Sequence, residues 1–145
     1  MTVESLVIAG AFSFLASALH VAVVIGGPSW YRFFGAGKSM VLMAESGSVK
    51  PALITLGIAV VLAVWGGYAW SGAGYLPSLP FTQFVLSAIT AVYLIRGLGG
   101  LAAPFISSHP QIKQNSTAFW VWSSIICLVI GMFHLAGVLA IWQTL

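Results

Sequence analysis

Three side chains combine chemical capability with apolar surroundings: His20, Arg96 and His134. Arg96 lies in Tyr-Leu-Ile-Arg-Gly-Leu, within the apolar run Phe81–Ala103. A guanidinium at the centre of a membrane costs about 2.5–3.5 kcal/mol on insertion scales. Helix rise puts Arg96 roughly 10 Å inside one end of its run, with Gly99, Gly100 and Ala103 on its face. It can snorkel to the nearer headgroups on its long stem. Alternatively it forms a buried site for an anionic headgroup, a substrate or a partner carboxylate. His20 is also roughly 10 Å from the same side of the membrane, with Ser13, Ala16 and Ser17 on its face. Meeting faces would give a polar His20/Arg96 pocket, with Tyr31 and Glu45 as lids. The plainer reading of His20 is a structural histidine bonded to a hydroxyl or carbonyl.

His134 shares a face with Ser123, Cys127, Gly131 and Gly137, in the opposite half of its run. Its axial offset from His20 is roughly 14 Å. That spacing argues against a haem ligated by both histidines, and nearby ligands are too few for zinc or copper. No cofactor or metal is expected. Catalytic sets are missing as well. Glu4 and Glu45 are the only carboxylates and fall on opposite membrane faces, and the chain has no Asp. Cys127 is the single cysteine, mid-span, where packing is the ordinary role of a thiol. Gly35-Ala36-Gly37-Lys38-Ser39 imitates the end of a phosphate-binding loop, but Arg32 stands where the leading glycine belongs. A non-enzymatic protein is expected.

The elements that position these residues follow from composition. The chain has 145 residues, 60% hydrophobic and 5% charged, against about 25% charged in soluble domains. So few charges cannot cover a water-soluble surface, and the chain belongs in a membrane. Four apolar runs, about 6–25, 52–70, 81–103 and 118–142, are each long enough to cross roughly 30 Å of hydrocarbon as a helix. The first could pass for a signal peptide, but Glu4 is the only charge before it, so it reads as a retained span. The expected fold is an all-α, four-helix antiparallel transmembrane bundle forming one domain. A short amphipathic helix over Ala36–Glu45 should lie in the first long loop, broken by Ser46-Gly47-Ser48. Gly26-Gly27-Pro28 should end the first span, and Pro51 fits the first turn of the second. Ala59, Ala63, Gly67 and Ser71 recur every four residues, a stripe suited to close helix approach.

Four spans put the loops 28–50 and 104–117 on one side, with Arg32, Lys38, Lys50 and Lys113. Arg96 lies nearest that side. The termini and the Ser71–Pro80 turn share the other side, which has no Lys or Arg. The positive-inside rule then puts both loops in the cytoplasm and both termini outside. The sequon Asn115-Ser116-Thr117 falls on the cytoplasmic side. Trp30, Arg32, Lys38, Lys50 and Lys113 are expected at the headgroups, as are Trp120, Trp122 and Trp142.

The block Trp-Tyr-Arg-Phe-Phe-Gly-Ala-Gly, followed by Met-Ala-Glu and a Gly-Ser turn, is joined by Tyr-Ala-Trp-Ser-Gly-Ala-Gly and Tyr-Leu-Ile-Arg-Gly-Leu. Together they resemble small uncharacterised bacterial inner-membrane proteins with four spans. The resemblance covers residues 20–100, implies membrane residence and four helices, and brings no activity. The functional expectation is binding of an anionic lipid, small ligand or partner through the cytoplasm-side pocket, in a setting such as a transport system. The alternative is an accessory or immunity-type subunit that binds another membrane protein or its own copies. A quinone- or haem-linked redox subunit ranks behind both. Nucleic acid is not an expected partner.

Overall fold

A computed structural model describes residues 2–144. Four long helices, α1 (Glu4–Gly26), α4 (Lys50–Gly72), α5 (Thr82–Ile106) and α7 (Thr117–Gln143), are each long and apolar enough to span a membrane. Three short helices join them: α2 (Pro28–Phe33), α3 (Lys38–Glu45) and α6 (Pro110–Lys113). The fold is an all-α four-helix bundle.

The sequence explains the breaks. Gly27 takes φ 74°, a region open to glycine, and Pro28 starts α2 there. The expected loop helix begins two residues later than Ala36, because Gly35 and Gly37 both take positive φ and turn the chain before Lys38. Helix α5 runs past Pro104 to Ile106 rather than stopping at Ala103. Proline so near a helix end removes one ladder bond, and the Ser107 amide still closes on the Ala103 carbonyl. Ser116, read above as part of a sequon, caps α7 by accepting from the Phe119 amide.

The bundle is two antiparallel hairpins. α1 packs on α4 and α5 on α7; α1 and α7 join the hairpins, and α4 meets α5 more lightly. Thus α1 and α5 lie across the diagonal. Glycines let the helices close. Gly10 receives the Trp70 indole and Gly66 the Phe14 ring, and those two rings meet edge to face at 4.8 Å. Gly97 receives Leu128, Gly131 receives Leu94 and Gly137 receives Leu6. In lipid the bulk solvent is as apolar as leucine, so such close packing must supply the association energy.

The expected stripe on α4 is only half buried. Ala59 and Ser71 face inward, but Gly66 and Ala69 replace Ala63 and Gly67, and a side chain at Gly67 would meet nothing. A helix turns 3.6 residues at a time, so a strict four-residue repeat drifts off the interface, and Ser71 is covered instead by the turn that it bonds at Pro77 and Leu79. Gly97→Ile should therefore destabilise the bundle by about 1–3 kcal/mol through overpacking against Leu128. Gly67→Ala should leave stability unchanged or slightly raised. Unfolding in mixed micelles, followed by circular dichroism, reads both.

Candidate functional site

Arg96 is where the α5–α7 register becomes chemical. Gly97 lies against Leu128 and Gly100 against Ser124, so the Arg96 backbone sits near the level of Leu128. Its guanidinium reaches further toward the loop-bearing end. It donates from Nη1 to Ser124 Oγ at 3.0 Å and from Nη2 to Ser123 Oγ at 2.9 Å, and its carbon lies 4.9 Å from the centre of the Trp120 ring. Gly100 makes room for the head; a Cβ there would collide with Nη1. The side chain snorkels along the α5–α7 seam with hydroxyls and an aromatic face as company. No carboxylate pairs with it among the described residues: the one ion pair joins Arg32 to Glu45.

His20 does not join it. The two residues lie on diagonal helices, and His20 Nδ1 donates to its own helix at the Ala16 carbonyl, 2.6 Å away. The expected His20/Arg96 pocket is thus not assembled, because Arg96 turns to its neighbour α7. Tyr31 is no lid. It is buried with Val23 and Val41 beneath the loop helices, and its hydroxyl has no protein partner. Glu45 is exposed and holds Arg32.

His134 is wholly buried, half the bundle away from the loops. Its Nδ1 lies 3.0 Å from the Ile130 carbonyl, a bond in which Nδ1 donates, and Nε2 has no protein partner. Its ring lies against Tyr93, centroids 5.1 Å apart. Tyr93 was not picked out from the sequence, yet all four long helices meet at it. Its hydroxyl shares a 2.9 Å hydrogen bond with Ser13 of α1, its ring meets Trp65 of α4 edge to face at 5.1 Å, and His134 of α7 covers it. One turn away on α1, Ser17 donates to the Ala59 carbonyl of α4 at 2.6 Å. The available signal was a tyrosine in mid-span, away from the interfacial belt where tyrosines gather.

The loop-bearing end has a groove of ≈ 510 Å³ between the α2–α3 loop and the start of α7. Arg32, Lys38 and Glu45 line one wall, and Gln114, Asn115 and Ser116 the other. Both long loops therefore share one end. At the other end Trp70 donates to the Val7 carbonyl and Trp142 to Ser87. Trp30, Lys50 and Lys113 are exposed at the loop-bearing end; Trp120 is tied to the Ile112 carbonyl at 2.9 Å. The described residues contain no cluster of ligands able to hold a metal ion.

Comparison with protein families, curated proteins and solved structures found no match.

Tyr93→Phe should cost about 0.5–1.5 kcal/mol by removing the Ser13 hydrogen bond. Tyr93→Ala should cost about 3–5 kcal/mol, the usual loss for a buried aromatic ring. The same micelle unfolding measurement separates the two.

Proposed function

We propose that this multi-pass protein is non-enzymatic and binds an anionic ligand at its loop-bearing end through Arg96. We place it in a bacterial inner membrane, with loops 28–50 and 104–117 in the cytoplasm and both termini outside. The orientation rests on all five Lys and Arg residues belonging to that end. The observation that carries the ligand reading is the uncompensated guanidinium. Ser123 and Ser124 fix its direction and take two of its five donors, leaving the rest for an oxyanion. Glu45 is committed to Arg32, and Glu4 opens α1 at the opposite end. Among the described residues no carboxylate is left for it, and a lipid phosphate or a small anion arriving from the cytoplasm fits the depth of the head. A place within a transport system is compatible with the same site.

A second reading has its own support. Gly99, next to Arg96 on the outer face of α5, has open space before it, between the exposed Ile95 and Leu98. A helix of another membrane protein could approach there and offer Arg96 a carboxylate, as an accessory subunit requires.

Arg96→Ala should still insert. It should retain phosphatidylglycerol at least about tenfold less well, since a hydrogen bond to a charged group contributes roughly 1.5–3 kcal/mol. Native mass spectrometry of the detergent-purified protein measures this. Undiminished retention would sink the anion reading; a stoichiometric protein partner lost in the same variant would favour the accessory one.

A further inference from the structure

The loop-end groove is distinct from the Arg96 seam, and its construction suits a particular chemistry. The α2–α3 loop is held close against the α6–α7 connection. Gly35 lies under the Phe119 ring, and a Cβ at Gly37 would come within 3.2 Å of Gln114 Oε1. Gly37 takes φ 100° and is buried, so a side chain there would be strained and would crowd the wall. Of the two cations, Arg32 is neutralised by Glu45, whereas Lys38 has no carboxylate partner among the described residues. The groove thus carries one net positive charge, on Lys38. No side chain caps α3, so the amides of its first turn, which begins at Lys38, have no side-chain partner. Opposite them, the Asn115 side-chain carboxamide makes no protein hydrogen bond among the described residues, and the Gln114 side chain uses only its Nε2, on Gln111. Val41, Leu42 and Phe119 add an apolar side to the same space.

The geometry points to a phosphate-binding site in this groove. One ammonium and uncapped amides meet the oxyanion, carboxamides meet its ester or hydroxyl oxygens, and the apolar side accepts a carbon chain attached to it. The phosphate could belong to a lipid headgroup or to a soluble phosphate compound; the chemistry of recognition is shared.

The test uses the full chain in detergent, with two probes: dioleoyl phosphatidylglycerol, counted by native mass spectrometry, and inorganic phosphate, followed by thermal stabilisation. The variants are Lys38→Glu in the groove and Lys50→Glu, a matched charge reversal at the same end outside it. A well-placed cation near anionic lipid contributes roughly 1 kcal/mol, so Lys38→Glu should weaken binding at least about fivefold, with Lys50→Glu near wild type. Loss with the lipid alone identifies a headgroup site; loss with inorganic phosphate as well identifies a soluble ligand. Equal loss in both variants means diffuse surface attraction and overturns the proposal. So does unchanged binding in Lys38→Glu. If binding then fails only in Arg96→Ala, the groove is excluded while the Arg96 reading stands. Loss confined to Lys38→Glu gives the reverse.

Discussion

Hydrocarbon is the only solvent that most of this surface tolerates, and the rest of the structure answers to that constraint. Seven formally charged side chains in 145 residues leave the long helices without a polar coat. Backbone polar groups must then be satisfied within each helix, and side-chain charge must go to the ends. Six of the seven do so directly. The seventh, Arg96, reaches its end through a flexible stem, a glycine beside its head, two serines and an indole. Its setting shows how a chain with few charges accommodates one that chain position alone would bury.

The same solvent removes the usual reason for helices to associate. What replaces it is close approach at glycines and a few interior polar contacts. Gly10, Gly66, Gly97, Gly131 and Gly137 each admit a large side chain from a neighbouring helix. Tyr93 then ties the two hairpins across the diagonal by its bond to Ser13, while Trp65 and His134 hold its ring. This arrangement makes the middle of the bundle specific and leaves the loop-bearing end free to carry exposed charge. Binding at that end need not disturb the contacts that hold the helices together.

Much of the architecture was legible in the sequence because it depends on local chemistry or on counting. Apolar length fixed the four spans, Gly27 and Pro28 fixed the first break, Gly47 marked the end of the helix in the first long loop, and Pro51 marked the start of the second span. Counting four spans anticipated that the two long loops share an end. Partner choice was less legible. His20 and Arg96 do lie toward the same side, but depth says nothing about which helices are neighbours, and these two are diagonal. Tyr93 escaped notice because its importance lies in three contacts from three other helices. The groove arises where residues 32–45 meet residues 114–119, a juxtaposition that no single stretch encodes.

The threading itself is tested most directly by cysteine accessibility in intact cells. With Cys127 replaced by alanine, single cysteines at Lys38 and at Ser78 are treated with a membrane-impermeant maleimide. The expected result is labelling of Ser78→Cys from outside and of Lys38→Cys only after permeabilisation, since the two positions lie at opposite ends of the helices. Labelling of both from the same side would contradict four crossings and, with them, the bundle on which every site described above depends.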